Sequence, residues 1–260
     1  MVKEVVWLSA LMGYEQVAEV LERIGRLAIS DTTAWRLARE WGERFRQREE
    51  AGREVANALP RGLERPGARG RPGKRMGAAM DGGMIHIRGE GWKEVKVGSM
   101  FEVESRPVVD RKMGELVEVA GAVRQSYVAQ LGGPEAFGEK VWAEARWRGW
   151  EESSDTEVLG DGAAWIWNLA ANHFYDSRQI VDWYHAKEHL ANAARLLEGE
   201  GTEAAQRWLK RQETVLYQGH ALRIAQEVER GAERQPQQTE GLLGEAGDLR
   251  HNHRRMNDRA

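Results

Sequence analysis

Apolar residues recur along this chain with two periods, and the change from one to the other divides it. Between Tyr14 and Leu27, Val17, Val20, Leu21 and Ile24 stand at i, i+3, i+4 and i+7. That spacing predicts an amphipathic helix entered after Gly13 and closing near Gly25. Ser30 or Asp31 then offers an N-cap for a second helix from Thr33 to Arg48, with Leu37, Trp41 and Phe45 on one stripe and Arg36, Arg39 and Arg44 off it. From Met76 the period shortens to two. Ile85/Ile87 and Val95/Val97 flank a glycine-bounded turn, predicting strands near Met76–Arg88 and Lys93–Glu104, with a third near Val123–Ala129. A helix from Pro134 to Arg148 follows, with proline in its first turn and Phe137, Val141 and Ala145 as the stripe that packs on the sheet. Next come a strand at Thr156–Leu159, a helix at Ala163–His173 and a fifth strand at Gln179–Trp183. From Ala191 onward the pattern is helical, with a start at Thr202-Glu203 and a break at Pro236, which cannot continue the helix before it.

The first two helices, joined by a short turn, have the outline of a helix-turn-helix module over residues 1–58. Its second helix would present Thr32, Thr33, Arg36 and Arg39 to base edges, although a plain helical hairpin carries the same pattern. Residues 59–75 read as a basic linker. Arg61, Arg65, Arg69, Arg71, Lys74 and Arg75 face the single acid Glu64, and Pro60, Pro66, Pro72 and repeated glycines oppose regular structure. Such a segment can follow a phosphate backbone through counterion release, or simply be solvated.

Asp81 and Asp161 each stand where a short apolar run stops and glycine follows, so a sheet would fix the carboxylate while glycine lets a ligand approach the backbone. Asp-Gly is also an ordinary turn dipeptide. Asp182, His185, Glu188 and His189 form a polar cluster. His185 and His189 at i, i+4 could chelate a metal, but no glutamate follows His185 as the zinc-protease pattern requires, and the spacing alone favours a hydrogen-bonded cluster. Trp142, Trp165, Trp167 and Trp183 sit among apolar neighbours and are expected in the core rather than stacked on bases; Trp92, at a hairpin, is the least determined.

Three stretches, Met80-Asp81-Gly82-Gly83-Met84-Ile85-His86-Ile87-Arg88-Gly89, Gly160-Asp161-Gly162-Ala163-Ala164-Trp165-Ile166-Trp167 and Asp182-Trp183-Tyr184-His185-Ala186-Lys187-Glu188-His189-Leu190, occur in this order. They resemble motifs of bacterial insertion-sequence transposases of the Asp-Asp-Glu type, in particular the Kra-type group, over about residues 76–195. The resemblance implies an α/β fold: a ribonuclease H-like core at 76–190, built on a mixed five-stranded sheet with flanking helices. The helix-turn-helix module would precede this core and a helical insertion at 191–260 would follow it. It also implies that the first and fourth strands are neighbours, so that Asp81 and Asp161 meet as catalytic, metal-ligating acids. Mg2+ or Mn2+ would be the cofactor, and double-stranded DNA at transposon ends the partner, with a second copy or a full-length transposase as a further one. The activity would be metal-dependent DNA strand cleavage and strand transfer.

The third acid of the family is a glutamate in a Gly-Ser-Gly-x-x-Glu motif, and no such motif occurs here. Residues 254–260 resemble the basic stretch that normally precedes it, which suggests a truncated transposase with weak metal binding and impaired catalysis. The incomplete insertion is then expected to pack poorly and expose Leu242 and Leu243. Two alternatives stay open: a DNA-binding competitor without catalysis, and a metal-dependent nuclease completed by Asp182 or Glu188.

Composition sets the remaining bounds. With 30% charged residues and a mean hydropathy of −0.65, the 260-residue chain is not of a membrane class, and no signal segment opens it. Cysteine is absent, so no disulfide framework is available, and a cytoplasmic location is expected. The net charge of −3 opposes generic nucleic-acid binding and leaves the basic clusters to carry it.

Overall fold

A computed structural model describes residues 2–58, 73–109 and 114–256, and the chain divides into two compact units, Met1–Arg61 and Gly62–Ala260. The first unit is helical. Helices α1 (Val2–Ser9), α2 (Tyr14–Gly25) and α3 (Asp31–Ala58) meet around Val5, Leu8, Val17, Leu21 and Ala34. Helix α2 stops where Arg26 turns left-handed, at φ 49°, and its N–H reaches back to the Leu21 carbonyl. Two features depart from the sequence pattern. Helix α1 is too short for its period to register, and α3 runs past Arg48 to Ala58. Ion pairs Glu40–Arg44, Glu43–Arg46 and Arg46–Glu50 support the exposed middle of α3 that leads into this extension. The expected stripe on α3 is used only at its start, since Leu37 packs on the unit's core while Phe45 is 49% exposed.

The second unit is α/β. Strands β1 (Arg75–Ile87), β2 (Gly91–Val109), β3 (Leu116–Leu131), β4 (Asp155–Gly160) and β5 (Arg178–Val181) form one sheet in the order β3-β2-β1-β4-β5. The β1–β2 and β2–β3 pairs are antiparallel, and β1–β4 and β4–β5 are parallel. Pairing of β1 with β4 ends at Met80↔Gly160, whereas its pairing with β2 continues to Ile87↔Gly91. Strand β2 extends beyond the predicted Glu104 because β1 no longer flanks it after Glu102, so Pro107 can sit there without breaking a second ladder. Gly77 is buried flat against Phe101; a Cβ there would lie 2.2 Å from that ring.

Helix α4 (Pro134–Trp147) buries Phe137, Val141 and Ala145 as its spacing predicts, and α5 (Ala164–His173) buries Ile166, Trp167, Leu169 and Ala170. Helices α6 (Trp183–Glu198), α7 (Glu203–Tyr217), α8 (Ala221–Arg234) and α9 (Thr239–Asn252) complete the unit. Leu190, Trp208, Leu216, Ile224, Val228, Leu242 and Leu249 belong to the same apolar cluster as Met76, Met80, Met100 and Val158 of the sheet. The expectation of a poorly packed C-terminal part is therefore corrected. Leu242 is fully buried, and of the two leucines only Leu243 is exposed, because one amphipathic face of α9 is turned inward. Trp167 is buried, Trp142, Trp165 and Trp183 pack half-buried against the core, and Trp92 is 66% exposed. Among the described residues no helix is long and apolar enough to cross a membrane.

Candidate metal centre

The register of the parallel strands sets the site. Because Met80 lies opposite Gly160, Asp81 and Asp161 are the next positions on two adjacent strands, where neighbouring backbones run about 4.8 Å apart. Gly160 lies opposite Val181 in turn, and the Asp182 N–H donates to the Gly160 carbonyl at 2.8 Å. Asp81 on β1 and the residues that directly follow β4 and β5, Asp161 and Asp182, thus stand on neighbouring chains. They line a cleft of about 520 Å³ together with Tyr127, Tyr184, His185 and Glu188.

Backbone donors orient each acid. Asp81 Oδ1 accepts from the Gly82 N–H at 2.7 Å, and Asp161 Oδ1 from the Ala163 N–H at 2.9 Å. Among the described residues the second oxygen of each has no hydrogen-bond donor, so it is available to a cation. Carboxylate oxygens are the donors that Mg2+ and Mn2+ prefer, and a divalent ion would offset the repulsion between the two acids. The residues present therefore fit the ion the resemblance implies. Asp182 is placed differently from the sequence expectation. The strand ends at Val181, and Asp182 caps α6, its Oδ1 accepting from Tyr184 (2.8 Å) and His185 (3.2 Å). The apolar residues Ile180, Val181 and Trp183 on both sides of Asp182 suggest a continuing strand, but the N-cap preference of aspartate prevails. Glu188 is exposed on α6 and makes no hydrogen bond or ion pair among the described residues.

The expected nucleic-acid contacts divide three ways. Thr32, Arg36 and Arg39 are exposed on α3, with the Arg39 guanidinium 5.5 Å from the ring centre of the half-exposed Trp35. Thr33 is half-buried, its N–H donating to Ser30 Oγ at 3.1 Å. Lys74 and Arg75 are not part of a flexible linker. Lys74 Nζ donates to the Arg148 carbonyl at 2.6 Å, and Arg75 opens β1 and pairs with Asp155 at 3.3 Å. The β4 neighbour that holds this end of β1 also supplies the acid. Arg61, Arg65, Arg69 and Arg71 lie outside the described residues.

One group of side chains was not legible in the sequence. Helix α9 brings Glu245 and Asp248 against His185 and His189 of α6. His189 Nδ1 is 2.5 Å from Glu245 Oε2, and its Nε2 lies 3.0 Å from His185 Nε2 and 3.4 Å from Asp248 Oδ2. The partners are more than fifty positions apart, so no local spacing announces them. Compared with known protein families and with curated proteins, the chain matches none.

Proposed function

We propose that the second unit is a ribonuclease H-like catalytic core and that the protein is a DNA transposase of the Asp-Asp-Glu type, cutting and joining DNA strands with Mg2+ or Mn2+. The juxtaposition of Asp81 and Asp161 where the parallel β1–β4 ladder ends, inside an open cleft, carries this reading. Asp81 and Asp161 would hold the divalent metal, which would supply activation of the attacking oxygen and stabilisation of the leaving one. The protein's own part is to hold two carboxylates oriented by the Gly82 and Ala163 N–H groups. With no Gly-Ser-Gly-x-x-Glu motif in the sequence, a third acid would come from the same cleft. Among the described residues, Asp182 has its second oxygen free, as in the other two acids, and Glu188 makes no hydrogen bond; both line it. Transposon-end duplex DNA is the proposed partner, met through α3, with a second copy of the chain or a full-length transposase beside it.

Nicking of supercoiled plasmid tests this. The purified chain should nick slowly in Mg2+ or Mn2+ and not in EDTA, and Asp81→Ala and Asp161→Ala should each reduce nicking at least about 100-fold. Nicking that persists in both variants sinks the proposal. A second reading, a DNA-binding competitor without catalysis, is favoured by the exposed Thr32, Trp35, Arg36 and Arg39 surface of α3. Duplex binding with no nicking under any metal selects it. On either reading, Arg36→Ala should weaken duplex binding by about 1–3 kcal/mol and flatten its salt dependence, read by fluorescence anisotropy.

A further inference from the structure

His185 and His189 are one helical turn apart on α6, so their rings share a face, and α9 closes that face with Asp248 and Glu245. One ligand atom from each of His185, His189 and Asp248 falls within a 4.8 Å sphere of mutual distances. Tetrahedral ligands held 2.0–2.1 Å from an ion stand about 3.3 Å from one another. The observed 3.0 Å between the two Nε2 atoms and 3.4 Å from His189 Nε2 to Asp248 Oδ2 bracket that spacing.

The surrounding hydrogen bonds make the same case. A carboxylate only accepts, so the proton on His189 Nδ1 points at Glu245 and the Nε2 lone pair is turned toward His185 and Asp248. A carboxylate behind a ligand histidine is the usual arrangement that fixes its tautomer and raises its basicity. Asp248 Oδ1 accepts from Asn252 Nδ2 at 3.1 Å, while its buried Oδ2 has no hydrogen-bond partner. A buried carboxylate oxygen left in that state is costly. If the cluster were only hydrogen-bonded, the Nε2–Nε2 contact would use one proton and Oδ2 would have no more than a 3.4 Å ion pair to a doubly protonated His189. A cation satisfies both imidazole lone pairs and the orphan oxygen together.

We propose that His185, His189 and Asp248 bind a borderline transition-metal ion of the Zn2+ class, with Glu245 as the positioning residue behind His189. Two imidazole nitrogens and one carboxylate oxygen suit Zn2+, whereas the all-oxygen pair Asp81/Asp161 suits Mg2+. His185 also lines the cleft, so the site adjoins it. The inference does not rest on transposase activity and survives its failure.

The test is metal binding by the full chain after chelator stripping. One Zn2+ per chain should survive gel filtration, and Co2+ should give the intense visible absorption of a tetrahedral site that Zn2+ displaces. His185→Ala and His189→Ala should weaken binding at least about 100-fold, and the near-isosteric Asp248→Asn and Glu245→Gln by about 10–100-fold. Asp81→Ala and Asp161→Ala should leave Zn2+ affinity unchanged. Circular dichroism reports folding of each variant, and Asp248→Asn carries the decision if a histidine variant fails to fold. Absence of stoichiometric binding, or binding unaltered in Asp248→Asn and either histidine variant, overturns the proposal.

Discussion

Gly160 has no room for a side chain. A Cβ there would lie 2.8 and 2.9 Å from Cγ2 and Cδ1 of Ile166, on the helix that follows Asp161. Gly160→Ala should therefore cost about 1–3 kcal/mol in urea denaturation and displace the adjacent acid, and Gly77→Ala should cost at least as much against Phe101. Gly83→Ala, with nothing within 4 Å, is the control and should stay within about 0.5 kcal/mol. Equal losses in all three would refute this packing argument. Asp81 and Asp161 could be picked out from the sequence because an apolar run stopped by Asp-Gly is a local signal, although β1 itself continues past Asp81 to Ile87. Glu245 and Asp248 could not, since their meaning arises only from contact with a helix elsewhere in the chain. Asp182 was visible as an acid but misread by position, because a cap and a strand end look alike when apolar residues flank both.

The exposed part of α3 depends on charge rather than burial. Hydrogen bonds from Arg46 and Gln47 to Glu43, the Arg46 bonds foremost, lower its carboxyl from the ordinary 4.5 to about 2. A depressed folded-state value means the contribution is whole above pH 4.5 and is lost as the pH falls toward about 2. Helical ellipticity of the chain should therefore decline over that window, and Glu43→Gln should remove this component of the decline while lowering ellipticity at neutral pH. An unchanged acid profile in the variant would show that the pairs do not support the helix. Most strands and helices were legible because hydrophobic period is a local property. Their ends were less so: α3 continues where its stripe has lapsed, and β2 continues past a proline that is harmless only because β1 has ended.

Two cores of very different size coexist in the chain. The first unit rests on Val5, Leu8, Val17, Leu21 and Ala34, while the second joins sheet and helices from Met76 to Met256 in one cluster. Scanning calorimetry should show two transitions, the smaller and earlier one from Met1–Arg61, since buried apolar area scales stability. A single transition that a chain lacking residues 1–61 reproduces in full would contradict this. The helical periods after Ala191 were apparent, but not that their apolar faces complete the sheet's own core, because period does not specify a partner. The early end of the β1–β4 ladder has a kinetic counterpart. Up to Met80, β1 is hydrogen-bonded along both edges, and from Gly82 to Ile87 along only one. Deuterium uptake should thus change character at Asp81: slow at successive amides before it, then alternating between slow and fast beyond it, so that the solvent's access to the backbone begins where the acids stand.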